Sequence, residues 1–188
     1  EFGLSENTLV VFTADHGDHL GNHRLLLKGA EQYQDILRVP FIWSDPDSPD
    51  RDARRSALAS TKDIAATVLE RAGLAPYIGM QGGSLLPALG GDARPGQEEV
   101  LIQYDHQRVN AGLGRAPRVH TLVDARWRIS VFQGVEWGEF YDLENDPGEF
   151  INLWADAAHA SEKARMMERL LRAELDHIDT VPIATAQA

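Results

Sequence analysis

The side chains best suited to chemistry crowd into one stretch of this sequence. Asp15, His16, Asp18, His19 and His23 follow directly on a short apolar run, Asn7 to Thr13. An aspartate offers a hard oxygen and a neutral histidine a nitrogen, so Asp15 and His16 could give two ligands to one divalent cation. Adjacent side chains on a regular strand point to opposite faces, so both can turn to one ion only where the chain leaves the strand, and Gly17 permits that. A solvated acidic loop is the plainer account of the same residues. The histidines of His16-Gly17-Asp18-His19 stand three apart and no glutamate follows the first, which excludes the zinc-protease pattern. Lys28 lies between Leu25-Leu26-Leu27 and Gly29. A lysine on an apolar segment ordinarily reaches out to water. Beside a metal-bound anion it would instead neutralise charge on a transferring group.

These residues need elements to place them. Residues 7–13 and Val39 to Trp43 are apolar runs without alternation, the pattern of strands covered on both faces in a parallel α/β sheet. Ligands gather beyond the carboxyl ends of such strands, where Asp15 and His16 fall. Residues 17–38 hold too many glycines and polar residues for a simple crossover helix. Ser60-Thr61-Lys62-Asp63 has capping-box spacing. Ile64, Ala65, Val68, Leu69 and Ala72 then recur at helical spacing, and Gly73 stands where a helix-ending glycine belongs. Residues 73–97 read as a long connecting loop.

From about residue 100 the style changes. Val100–Ile102, Val119–Val123, Trp127–Phe132 and Glu139–Tyr141 are short strands between turns, alternating as in a half-exposed antiparallel sheet. A helix over 157–178 follows, with Ala164, Met167, Leu171, Leu175 and Ile178 as its inner face. Asp142 to Gly148 hints at a calcium loop, but its glycine is one place late and Leu153 stands where a glutamate belongs, so a turn accounts for it better. The expected organisation is an α/β segment over 1–98 and an antiparallel sheet with a packed helix over 99–188.

Composition bounds the function classes. A chain of 188 residues with 43% hydrophobic residues can bury a core. Its net charge of −11 disfavours nucleic acid and anionic membrane as partners, and no apolar run is long enough to span a bilayer. With no cysteine, disulfides, thiolate metal sites and thiol nucleophiles are excluded.

Several blocks go beyond spacing. Thr13-Ala14-Asp15-His16-Gly17-Asp18, Leu20-Gly21-Asn22-His23, Lys28-Gly29 and Arg38-Val39-Pro40 resemble the C-terminal half of a sulfatase, in the alkaline phosphatase superfamily. Three further blocks agree in the same order. They are Asp63 to Leu69 with Ala72-Gly73-Leu74, then Gly79-Met80-Gln81-Gly82 with Ser84 to Pro87, then Glu139 to Glu149 with Asn152-Leu153.

The resemblance implies the C-terminal part of an alkaline-phosphatase-like α/β fold, plus a small antiparallel sheet with a packed C-terminal helix. It implies that Asp15 and His16 are the late pair of ligands to a divalent metal, usually Ca²⁺ and sometimes Mg²⁺ or Mn²⁺. Lys28 matches the lysine that contacts the sulfate and the nucleophile, and His23 falls where a substrate-side histidine recurs. Histidine in the second ligand place also resembles phosphonate monoester hydrolases and choline sulfatases. The substrate implied is a small-molecule sulfate or phosphate ester, attacked by a metal-activated hydrated formylglycine. That residue is made from the first position of C/S-x-P-x-R, a motif this sequence does not contain; Ser48-Pro49-Asp50-Arg51 has its proline one place early. The expectation is therefore a portion of a longer enzyme, inactive alone. Its strands 7–13 and 39–43 should leave apolar faces open, or covered by a second copy. A phosphonate or phosphodiester hydrolase on the same scaffold, and a non-catalytic sulfatase-like module, are the alternatives.

Overall fold

A computed structural model describes residues 3–48, 52–91, 97–109 and 114–178. Pro49, Asp50 and Arg51, and residues 92–96 of the 73–97 connection, lie outside the described residues.

β1 (Val10–Thr13) pairs with β4 (Phe41–Ser44), Val10 opposite Ser44 and Thr13 opposite Phe41. The pairing is antiparallel, where the unalternating pattern of each run reads as a strand of a parallel sheet. Their alternation-free apolar character suits a strand covered on both faces, yet one face stays open here. Val10, Phe12 and Ile42 are each more than half exposed. The open apolar face expected of these strands is present. Between them run a small hairpin, β2 (His19–Leu20) with β3 (Leu26–Leu27), and one helical turn, α1 (Gln34–Leu37). No crossover helix forms, as the glycine and polar content of 17–38 implies.

α2 (Asp63–Arg71) is the helix expected after Ser60. Only half of its capping box forms: the Asp63 carboxylate accepts the Ser60 N–H at 2.7 Å. At the other end Gly73, with φ +71°, donates to the Glu70 carbonyl and Leu74 donates to that of Leu69, the paired bonds that close a helix on a left-handed glycine. Asp63 is fully buried and also accepts the Gly83 N–H at 3.0 Å and Gln97 Nε2 at 2.7 Å. Thr67 Oγ1 accepts the Leu85 N–H at 2.9 Å. The sequence blocks at 63–74 and 79–87 are thus one structural unit, with a short helix α3 (Leu86–Leu89) inside the stretch that reads as loop.

The C-terminal half is a four-stranded antiparallel sheet of β5 (Glu99–Asp105), β6 (Arg118–Asp124), β7 (Trp127–Phe132) and β8 (Gly138–Asp142), in that order. α4 (Ala160–Asp176) covers one face, after a 3₁₀ turn at Ala157–His159. Leu122, Trp127, Ile129 and Phe140 from the sheet pack there on Met166, Leu170 and Ala173. This corrects the helix phase. Met167, Leu171, Leu175 and Ile178, taken as the inner face, are exposed. The helix carries two apolar stripes about one residue apart, and a 3.6-residue period alone cannot choose between them. The sheet is not half-exposed either. Its second face carries Val119 and Phe132, which pack on Ala30 of the N-terminal half, and Arg128, Ser130 and Thr121, all fully buried.

Residues 142–148 form a turn. Asp142 Oδ1 accepts the Glu144 and Asn145 N–H groups, and the Asp146 N–H donates to the Asp142 carbonyl at 2.7 Å. Hydrogen bonding from Arg126, with help from Asn145, holds the Asp142 carboxyl down at about 2 against burial. A carboxyl depressed in the folded state stabilises it above the unfolded pKa near 3.8, and that contribution disappears as pH falls toward 2. Arg126 is half exposed, which screens the pair, so the expected loss is at most about 2 kcal/mol. Urea unfolding between pH 5 and pH 2 should show Asp142→Asn less stable than wild type at pH 5 and losing less on acidification. Parallel curves would remove Asp142 as a source of acid sensitivity.

Candidate functional site

β1 ends at Thr13 and the next residues turn out of the strand, carrying Asp15 and His16 to the same side as Lys28, which follows β3. His16 Nδ1 lies 2.8 Å from the Gly17 carbonyl oxygen. That oxygen can only accept, so Nδ1 bears the proton and Nε2 presents its lone pair. Lys28 Nζ donates to Nε2 at 2.5 Å. Asp15 Oδ1 accepts the His16 N–H at 3.0 Å, and its Oδ2 is 3.4 Å from His16 Nε2. The backbone N–H of His16 is the main cause holding the Asp15 carboxyl below its ordinary range, and the Lys28 charge adds to it more weakly.

A carboxylate oxygen and an imidazole nitrogen with its proton on the far side are what a divalent cation takes from two adjacent residues, and the Nδ1–H bond to a carbonyl fixes that tautomer. The donor set therefore fits a share of a cation's shell. No third histidine, cysteine or acidic residue joins them among the described residues. Lys28 does not reach away into water, as lysines on apolar segments ordinarily do; its stem is exposed and its ammonium folds back on the imidazole. The three residues share an open groove with Thr13, Arg38 and Arg54.

Gly17 acts differently from the expectation that it frees the backbone. Its N–H donates to the Ile36 carbonyl at 2.9 Å, and a Cβ added there would lie 1.8 Å from the Asp35 carbonyl oxygen. The residue must be glycine because α1 presses on it. Gly17→Ala is expected to cost about 1–3 kcal/mol in urea unfolding and to displace His16 from Lys28. An alanine variant of wild-type stability would mean that α1 yields easily.

The other histidines of the cluster go elsewhere. His23, with φ +53°, stacks on Tyr33 at 3.8 Å between ring centroids and sits 5.2 Å from Phe150. It joins an aromatic stack, not the Asp15–His16–Lys28 group. His19 is 1% exposed, with Nδ1 3.7 Å from Asp35 Oδ2 and the Tyr33 ring edge-on at 5.9 Å. Asp18 is exposed.

Sequence reasoning did not single out the group beneath the site. Arg128 is fully buried between the rings of Tyr33 and Tyr141, pairs with Glu149, and donates to Glu139 Oε2 at 2.9 Å and Ser130 Oγ at 2.6 Å. Burial pushes the Tyr141 phenol well above its usual range, so it stays neutral there. A charged residue at the alternate position of a strand between Trp127 and Ile129 was the available signal. It goes unread when that face is taken as solvated.

The antiparallel sheet with one packed helix, joined to the β1–β4 segment, is the fold found in the C-terminal parts of sulfatases and of a phosphonate monoester hydrolase, in the alkaline phosphatase superfamily. The family model described as N-sulphoglucosamine sulphohydrolase, C-terminal, matches residues 21–176, and the chain belongs to that family. Among curated relatives it is 27% identical over 182 residues to a Delta 4,5-hexuronate-2-O-sulfatase of Bacteroides thetaiotaomicron, covering 91% of this chain and 36% of that protein. It is 28% identical over 193 residues to the multifunctional alkaline phosphatase superfamily protein PehA of Trinickia caryophylli, covering 95% and 36%. The phosphonate monoester hydrolase of Agrobacterium radiobacter superposes with a TM-score of 0.85 at 28% identity, over 99% of this chain and 38% of that one. The chain thus spans about a third of the length of the curated relatives it matches.

Proposed function

We propose that this chain is the C-terminal portion of a sulfatase that hydrolyses sulfate esters, with Asp15, His16 and Lys28 as its share of the active site. The observation that carries the reading is the convergence of these three side chains. Asp15 and His16 would hold a divalent cation, Ca²⁺ in the first instance, which when bound supplies positive charge to orient and polarise a sulfate oxygen and the formylglycine nucleophile. Lys28 adds a compact positive charge beside His16 Nε2, suited to an anionic group that gains charge as the ester bond breaks. Asp15 stays ionised at neutral pH. The His16 ring is held in one tautomer because the Gly17 carbonyl accepts the Nδ1–H. The nucleophile motif C/S-x-P-x-R is not in this sequence, so the chain alone is expected to be inactive.

A phosphonate or phosphodiester hydrolase is the second reading, favoured by the histidine after Asp15 and by likeness to the Agrobacterium phosphonate monoester hydrolase. The full-length gene product, assayed on 4-nitrophenyl sulfate and on a phenylphosphonate monoester, separates the two: the higher kcat/KM names the primary activity. A full-length product without C/S-x-P-x-R would overturn the formylglycine mechanism and leave a sulfatase-like binding module.

A further inference from the structure

We propose that Glu149 is a positioning residue for His16, acting at a distance through α1; the functional meaning of that position rests on the sulfatase reading above. Glu149 is 2% exposed and uses both carboxylate oxygens. Oε1 accepts Arg128 Nε, and Oε2 accepts the Gln34 N–H at 2.7 Å. Gln34 is the first residue of α1, whose N–H has no partner inside the helix, so the carboxylate supplies the bond that sets where the turn begins. Two residues on, the Ile36 carbonyl accepts the Gly17 N–H at 2.9 Å, and the Asp35 carbonyl oxygen occupies the space a Cβ on Gly17 would need. The Gly17 carbonyl in turn accepts His16 Nδ1–H at 2.8 Å. One hydrogen-bonded line therefore runs from the buried Arg128–Glu149 pair, through α1, to the ring proton of His16.

The anchor is stiff. Arg128 is held by Glu139, Ser130 and two tyrosine rings as well as by Glu149. Glu149 itself sits at φ +56°, a conformation that a non-glycine residue keeps only where its surroundings over-determine it. Its carboxylate reaches across 115 residues of sequence to α1. Lys28 Nζ approaches the opposite nitrogen of the same imidazole, so the tautomer that α1 imposes is the one that leaves Nε2 free for a cation or for Lys28.

The test removes one hydrogen atom. Proline suits the first position of a helix, and Tyr33, at φ −72° and ψ 159°, already has the extended backbone that proline demands of its predecessor. Gln34→Pro deletes the N–H that Glu149 accepts; Gln34→Ala keeps it and serves as the control. The readout is the pair of ring ¹⁵N shifts of His16 in the labelled chain, recorded where the imidazole is neutral. Wild type and Gln34→Ala should show Nδ1 protonated and Nε2 bare. Gln34→Pro should move both shifts toward the averaged values of a ring exchanging between tautomers. A purely structural role for Glu149 would lower the melting temperature of Gln34→Pro and leave the His16 shifts where Gln34→Ala has them, and that result overturns the proposal. Should Gln34→Pro fail to fold, Glu149→Gln puts a donor where one acceptor stood and is read in the same way. The measurement needs no turnover, so a full-length enzyme that ignored sulfate esters would not touch it.

Discussion

Replacing Lys28 with alanine in the full-length enzyme is expected to lower kcat by roughly 10²–10³-fold, the range for deleting one donor aimed at charge that develops in the transition state. The folded state should hardly notice. Lys28 is exposed and, among the described residues, bonds to His16 Nε2 at 2.5 Å, so unfolding free energy should change by less than about 0.5 kcal/mol. Lys28→Arg keeps the charge but replaces a compact ammonium with a planar fork, and should recover only part of the rate. The split is what identifies the role. A rate loss within tenfold, or one that merely follows the melting temperature, would return Lys28 to the ordinary lysine that caps an apolar segment.

The second large effect lies in the sheet. Arg128→Ala leaves Glu139 and Glu149 facing each other's neighbourhood with no cation, their side chains 10% and 2% exposed. Breaking a buried pair from one side costs about 3–5 kcal/mol, a large share of the 5–15 kcal/mol that holds a domain together. Urea unfolding followed by circular dichroism should show it as a midpoint shift. Adding Glu149→Gln to Arg128→Ala should return part of the loss, since one uncompensated charge goes with it. A single variant within about 1 kcal/mol of wild type would mean that water reaches the carboxylates. Arg128 would then not anchor α1 either, which ties this result to the positioning of His16.

Much of the site was legible in sequence because its residues are local. Asp15 and His16 are adjacent, Lys28 follows within one hairpin, and short-range blocks of this kind keep their order and spacing whatever the rest of the chain does. The helix over 63–71 was legible for the same reason, its capping carboxylate and closing glycine being written at its own ends. What failed were choices of face. The apolar stripe of α4 that lies buried is Met166, Leu170 and Ala173 because Trp127, Ile129 and Phe140 stand opposite it, and nothing within the helix says so. That β1 pairs antiparallel with β4 is not written locally either, because an unalternating apolar run shows only that a strand is meant to be covered, not by which neighbour or in which direction.

Sequence by itself therefore pointed to Asp15, His16 and Lys28 as the residues proposed for the site, showed that the chain carries no cysteine, and carried the family resemblance in four blocks in register. Only the tertiary structure decided that Lys28 turns back onto His16, that His23 stacks on Tyr33 instead of joining them, and that Gly17 is held by α1. It also decided that an arginine in a strand is fully buried, gripped by a glutamate from the following turn. The physical reason is range. Ligand type and chain reversal are properties of neighbouring residues, whereas burial, ion pairing and the tautomer of a ring depend on groups up to 115 residues away that only folding brings within hydrogen-bond distance.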